Sequence, residues 1–403
     1  MMPPIKVGDS LDIILSNALS GKTLFKNRSA LRSDYIPNNL PYRNDQITSI
    51  AQILSPILQN SKPSNLLLYG KTGSGKTAVA KYVLEKFQQA TIKHDKQISL
   101  AYSNARLAGS EYRVLVDLGQ SLNLKIPFTG LPLSEVLQRI FNHISQFNLK
   151  TIFVLDEIDF LGKHSYDDIL YSLTRSNEHL GSGLLALIGI SNDLNFKTFL
   201  DPRVLSSLDE EEVLFPPYTV EQLRDILSER VSLAFNKDTV RTSISNLCAA
   251  LAGSEHGDAR RAIDLLRVAG EVAEREAATT VEDRHVRIAS QKIDQDRIFN
   301  AVKTLPLHEK VVLASVSLLP SISTTGQVFD KYQSLARGIS LDPLTQRRVS
   351  ALLSELDVQG LINANIINHG RHGRTKRITC LVPKDILDEI FSQNSQELHL
   401  LHS

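Results

Sequence analysis

Asn65-Leu-Leu-Leu-Tyr-Gly70-Lys-Thr-Gly-Ser-Gly75-Lys76-Thr77 decides how the rest of the chain is read. Leu66 to Tyr69 is an apolar run that predicts a buried strand, and glycines at 70, 73 and 75 break it into a loop. An Ala/Val-rich helical pattern follows through Tyr82, Val83 and Leu84. The stretch fits G-x-x-x-x-G-K-[ST] in the strand–loop–helix setting on which that pattern depends. Glycines let backbone N–H groups turn inward on a polyphosphate, and the helix N-terminus adds partial positive charge. Gly70, Lys71, Thr72, Gly73, Ser74, Gly75, Lys76, Thr77 and Ala78 are therefore expected around a nucleoside triphosphate. Lys76 would meet its β- and γ-phosphates, and Thr77 would offer a hydroxyl to Mg2+.

Downstream, Thr151-Ile-Phe-Val-Leu-Asp156-Glu157-Ile-Asp159 is an apolar strand ending in adjacent carboxylates. Open α/β sheets bind ligands at the carboxyl ends of buried parallel strands. Asp156 suits the Mg2+ shell there, and Glu157 suits orienting or deprotonating an attacking water. A further apolar strand, Leu184 to Ser191, ends at Asn192. That amide reads either as a γ-phosphate or lytic-water contact or as a strand-end turn residue, and both readings stand. Gln97 to Ser103 and Glu212 to Phe215 complete the expected strands. Arg203, after Pro202, reads from the residues alone as a solvated charge.

At 403 residues the chain is long enough for two or three domains. Charged residues make up 22% and the net charge is +1, so any basic surface must be local. Cys248 and Cys380 are too few and too far apart for a disulfide framework or a metal site. The first residues lack a charged region leading into an apolar one, and no run reaches the length of a membrane span. The expectation is a cytoplasmic protein with no membrane partner.

Residues 1–33 read as an arm, with a short helical pattern over Leu11 to Leu19 behind Ser10. Tyr35-Ile-Pro37 to Leu40-Pro-Tyr-Arg43 is held extended by its prolines, and reads either as a cover for a base or as a connector. From Pro216-Pro-Tyr218-Thr219 the pattern is helical to about Ala301, opening on the capping box Thr219 to Gln222. Within it Asp258 caps a helix that carries Arg260 in its first turn.

The last hundred or so residues change character. Three helical stretches, Leu307–Leu319, Thr325–Ser340 and Pro343–Gln359, precede a hairpin from Leu361 to Val382. That is the order of a winged helix. Thr345, Gln346, Arg347 and Arg348 open the third helix, and Arg371, His372, Arg374, Lys376 and Arg377 are expected at the hairpin tip. Glycine-punctuated cations in such a turn can straddle phosphates or enter a groove. Double-stranded DNA is the expected partner of both groups.

Taken in order, these motifs resemble the archaeal origin-recognition/replication-initiator family, AAA+ ATPases related to the eukaryotic origin recognition complex. The resemblance runs from about Asp34 to Leu387. It implies an α/β P-loop AAA+ module, with a five-stranded parallel sheet and a helical lid, followed by a C-terminal winged-helix domain. The expected boundaries are an arm at 1–33, the nucleotide-binding domain at 34–216, the lid at 217–300 and the winged helix at 301–403. Tyr35, Ile36, Pro37 and Arg43 look like the adenine-side segment, although Tyr42 and Asn44 depart from the His and Glu of that pattern. Tyr218 joins the nucleotide set. The resemblance makes Asn192 a first sensor and Arg260 a second, and Arg203 in Asp201-Pro-Arg203 the finger that completes a neighbouring subunit's site. It also sets an extra DNA-contacting helix at Lys125 to Glu135. The implied function is an initiator that binds ATP or ADP with Mg2+, hydrolyses slowly, binds duplex origin DNA beside related subunits, and recruits the replicative helicase at the nucleoid. A nucleotide-switched transcription or signalling regulator, or a DNA-binding scaffold with static nucleotide, would use the same parts.

Overall fold

The computed structural model describes residues 23–93, 98–163, 167–208, 210–255, 257–320, 322–368 and 374–393. It divides into two compact units, Met1–Val286 and Arg287–Ser403. The expected lid boundary at 300 falls inside a continuous helix, Asp283–Thr304.

In the first unit, helix α1 (Asn44–Leu54) precedes strand β1 (Asn65–Tyr69) and helix α2 (Lys76–Lys93). Then come β2 (Ser99–Asn104), α3 (Glu111–Ser121), α4 (Leu133–Gln146), β3 (Lys150–Asp156), β4 (Leu184–Ser191), α5 (Pro202–Leu208) and β5 (Glu210–Leu214). The five strands form one sheet in the order β2-β3-β4-β1-β5, with every pair parallel. Every residue of β1 is buried, as expected for a central strand covered on both faces. Alternation along the strand sends Leu67 to a core shared with Val114, Leu118, Val136 and Ile140 of α3 and α4. Leu66 and Leu68 go to the opposite core, against Ile50 and Leu54 of α1 and Val79 and Val83 of α2. Burying each leucine fully stabilises by roughly 1.5–3 kcal/mol. Because all strands run the same way, the ends of β1, β3 and β4 emerge at one edge, and they carry the glycine loop, Asp156 and Asn192 there.

Three further helices, α6 (Val220–Ala234), α7 (Thr242–Ser254) and α8 (Ala259–Arg275), make the lid. Thr219 and Gln222 form the full capping box of α6, and Asp258 caps α8 by accepting from the backbone N–H of Arg260 and Arg261. The described part of the expected arm packs on this lid. Leu24 and Phe25 are buried, and the Phe25 ring lies 4.6 Å from that of Phe235. The helical pattern at Leu11 to Leu19 lies outside the described residues. Residues 123–132 hold no helix: they form a loop that buries Ile126 and leaves Phe128 exposed. Its Pro127, Thr129, Gly130 and Pro132 favour turns, so of the extra helix implied at Lys125 to Glu135 only Leu133 to Glu135 is helical, as the first turn of α4.

In the second unit the tail of α9 (Asp283–Thr304) leads to α10 (Leu307–Ser317), β6 (Ser323–Thr324), α11 (Thr325–Gly338), α12 (Gln346–Val358), β7 (Ile362–Asn368), β8 (Arg374–Cys380) and α13 (Lys384–Gln393). The antiparallel sheet runs β6-β8-β7. Its core joins Val311 and Val312 of α10, Val328 and Tyr332 of α11, Val349, Leu352, Leu353 and Leu356 of α12, and Ile362 and Ile378 of the hairpin. This is a winged helix.

Candidate functional site

The glycine loop closes over the top of β1 with two backbones in the left-handed region, Gly73 at φ +73° and Gly75 at φ +93°. At Gly73 the need for glycine is steric as well: an added Cβ would stand 1.7 Å from Oδ1 of Asp258, the cap of lid helix α8. The lid touches the loop there, since the Ala259 N–H donates to the Gly73 carbonyl at 3.2 Å.

Lys76 is buried at the start of α2. Its ammonium donates to the Gly70 carbonyl at 2.7 Å, the Lys71 carbonyl at 2.9 Å and Asn192 Oδ1 at 2.9 Å. Burial pushes its pKa down to about 8, against the upward pull of Asp156. Thr77 Oγ1 donates to Asp156 Oδ2 at 3.0 Å, and Tyr102 Oη donates to the same oxygen at 2.8 Å. The Glu157 N–H donates to Asp156 Oδ1 at 3.0 Å. Glu157 takes φ +53°, and its carboxylate accepts from Asn104 Nδ2 at 3.4 Å and lies 3.8 Å from the Arg106 guanidinium.

These groups border a cavity of about 610 Å3, a volume suited to a nucleotide. Thr72, Gly73, Gly75, Lys76, Thr77, Ala78, Asp156, Glu157, Asn192 and Arg260 line it, as do Tyr35, Ile36, Pro37 and Tyr218. Gly70, Lys71 and Ser74 do not line it; the first two turn their carbonyls to Lys76, and Ser74 is buried. Arg43 is a correction. It stands behind the loop, donating to the Ser74 carbonyl at 3.0 Å and the Pro216 carbonyl at 2.7 Å, with its guanidinium 3.8 Å from the centre of the Tyr218 ring. An arginine with those partners braces the loop rather than meeting the base. Tyr42 likewise turns to the lid, where its hydroxyl bonds Asp225 of α6.

Thr77 and Asp156 offer a hydroxyl and a carboxylate side by side. Mg2+ favours such hard oxygens, and is usually held by one or two carboxylates completed by phosphate and water. Among the described residues no group of three or more acidic, His or Cys side chains is placed to hold a metal ion by itself. The residues present therefore fit Mg2+ held jointly with a nucleotide. Arg203 does not line this cavity; it is exposed on α5 and paired with Asp201 at 3.0 Å.

In the winged helix Arg347 is exposed at the start of α12, and Arg348 lies 3.3 Å from Glu355 two turns along the same helix. The second strand of the hairpin starts earlier than the sequence suggests. β8 begins at Arg374, so Lys376 and Arg377 are strand residues rather than a turn. Lys376 Nζ donates to Ser354 Oγ of α12 at 2.6 Å, while Arg377 is exposed opposite Asn365. Arg371 and His372 lie outside the described residues.

Residues 59–194 match the AAA domain family, 224–291 the Cdc6 AAA+ ATPase-type lid domain and 300–390 the CDC6 C-terminal winged helix domain. The ORC1-type DNA replication protein of Thermococcus onnurineus is 48% identical over 394 residues, spanning 96% of this chain and 95% of its own. ORC1-type DNA replication protein 1 of Sulfurisphaera tokodaii is 44% identical, spanning 96% and 98%. The chain belongs to the archaeal Orc1/Cdc6 family. Within that family, the Aeropyrum pernix ORC1 protein solved in complex with DNA superposes with a TM-score of 0.85 at 42% identity, over 92% of this chain and 97% of that one. No described helix is long and apolar enough to cross a membrane.

Several cavity residues escaped the sequence reading. Arg230 of α6 is buried, donates to the Ala30 carbonyl at 3.0 Å and covers the Tyr35 ring at 4.8 Å. Ile226 and Ile263 line the same cavity from the lid. Tyr102 and Asn104 come from the end of β2 and Arg106 from the short helix Ala105–Ala108 that follows it, where the only available signal was a strand ending in polar residues.

Proposed function

We propose that this Orc1/Cdc6 protein is a replication initiator that binds duplex origin DNA through its winged helix and uses slow ATP hydrolysis to set its state on DNA. The observation that carries this reading is the contact between lid and glycine loop. Ala259 is hydrogen-bonded to Gly73, and the next residue, Arg260, lines the same cavity as Gly73 and Lys76. A γ-phosphate that engages Arg260 therefore pulls on the helix that rests on the loop.

On ATP binding, Lys76 exchanges the Gly70 and Lys71 carbonyls for the β- and γ-phosphates. Asn192, already bonded to Lys76, meets the γ-phosphate from the sheet side and Arg260 meets it from the lid. Tyr35, Ile36, Pro37 and Tyr218 border the base and sugar, with Arg43 bracing the loop from behind. Thr77 and Asp156 would hold Mg2+, which would supply positive charge against the phosphates. Glu157 orients or deprotonates the attacking water. Its carboxylate is oriented by Asn104 Nδ2 at 3.4 Å and the Arg106 guanidinium at 3.8 Å. Arg203, exposed and outside its own cavity, supplies the finger to a neighbouring initiator subunit. Arg347 and Arg348 enter the major groove, and the wing residues Arg374, Lys376 and Arg377 meet the adjacent backbone or minor groove. The loaded complex recruits the replicative helicase. Genome-wide occupancy tests the assignment: binding concentrated at origins supports it, whereas binding spread over promoters points to a transcription regulator.

A further inference from the structure

We infer that Tyr102 is the positioning residue for the metal-binding carboxylate Asp156, an inference that rests on Thr77 and Asp156 holding Mg2+. Tyr102 lies on β2, the edge strand beside β3, in register with Val154, two residues before Asp156. Its hydroxyl reaches along the sheet to donate to Asp156 Oδ2 at 2.8 Å, the oxygen that also accepts from Thr77 Oγ1 at 3.0 Å. The other oxygen, Oδ1, accepts from the Glu157 N–H at 3.0 Å. An ionised carboxylate has about four acceptor sites. Three donors from three different directions therefore fix its plane and leave it little freedom to rotate.

The ring itself is held. The Lys81 ammonium, one turn beyond Thr77 on α2, lies 5.0 Å from the Tyr102 ring centre. Tyr102 thus ties the carboxylate of the sheet to the helix that bears Thr77, and so sets the spacing of the two groups that would share the ion. Without the hydroxyl, Asp156 keeps its charge but loses one of the donors on the metal-facing oxygen pair. Outer groups of this kind change metal affinity by about 10–100-fold when removed.

The test is Tyr102→Phe in the full chain, which keeps the ring and removes one oxygen. Binding of a fluorescent ADP analogue is followed without Mg2+ and across a Mg2+ titration. The expected result is nucleotide affinity within about twofold of wild type without the ion, and half-saturating Mg2+ raised about tenfold. ATP turnover should recover at high Mg2+, so the Mg2+ requirement moves and kcat does not. Unchanged half-saturation in Tyr102→Phe overturns the role of Tyr102 while leaving the metal assignment intact. An equal loss of nucleotide affinity with and without Mg2+ also overturns it, because the hydroxyl would then support the nucleotide site itself rather than the metal-binding carboxylate. If the wild-type protein binds nucleotide indifferently to Mg2+, the metal assignment of Thr77 and Asp156 fails first.

Discussion

Lys76 and Arg347 carry the same charge in opposite surroundings. Lys76 is 4% exposed and its ammonium is held by two loop carbonyls and Asn192 before any ligand arrives. Arg347 is exposed at a helix start, and its neighbours Arg348 and Lys376 are held by side chains, Glu355 and Ser354. The first arrangement suits a ligand of fixed shape. Its donors are set by backbone that cannot move without disturbing the sheet, so little order is lost on binding. The second suits a polyanion met at many points, where affinity comes from displaced counterions and each cation contributes modestly.

The sharpest way to break this contrast is Lys76→Ala. A preorganised donor lost from a buried phosphate site should lower turnover on the order of 10²-fold or more, with weaker nucleotide binding and an unchanged winged helix. Wild-type turnover in that variant would remove the nucleotide site as drawn.

A smaller effect is expected on the DNA side. Arg347→Ala should weaken duplex binding by about 1–3 kcal/mol where it reads a base edge, or lower the salt slope by about one where it meets phosphate. Arg348→Ala should cost less, because Arg348 must first leave Glu355. Equal losses from the two variants, measured by binding titrations at several salt concentrations, would show that the ion pair to Glu355 does not restrain Arg348.

The smallest effect is in pH. Burial holds the pKa of Lys76 at about 8, below its ordinary value. Phosphate favours its charged form, so below about pH 8 the lysine is already protonated and adds no pH dependence. Above that, binding must take up a proton, and affinity should fall by up to about tenfold per pH unit. The sign for folding is opposite: between pH 8 and the ordinary lysine value the unfolded chain binds more protons, so this group adds stability as pH rises. Nucleotide titrations from pH 7 to pH 9.5 that stay flat would contradict the burial of Lys76.

Much of this could be read in the residues because the signals are local. An apolar run feeding Gly70 to Thr77 leaves few alternatives, and Gly257-Asp258 before a helical pattern marks the start of α8. What could not be read depends on partners distant in sequence. Arg43 lies next to the segment expected to cover a base, yet its carbonyl partners are Ser74 and Pro216, supplied by the glycine loop and the strand-to-lid connection. Arg230 sits on an ordinary amphipathic helix, and only the fold brings Ala30 and Tyr35 to it. The density of cations from Arg371 to Arg377 concealed the start of β8, whose backbone pairs with β7 as far as Asn368. Leu24 and Phe25, in a segment too polar overall to suggest a core, are buried by the lid.

The central claim is that γ-phosphate, sensed by Arg260 on the lid, sets the state of the DNA-bound protein. Footprinting on origin DNA with ATP and with ADP, for wild type and Arg260→Ala, tests it most directly. The account predicts two different wild-type footprints and, in Arg260→Ala, the ADP footprint with either nucleotide although both still bind. Identical wild-type footprints, or a difference that survives in Arg260→Ala, would contradict it.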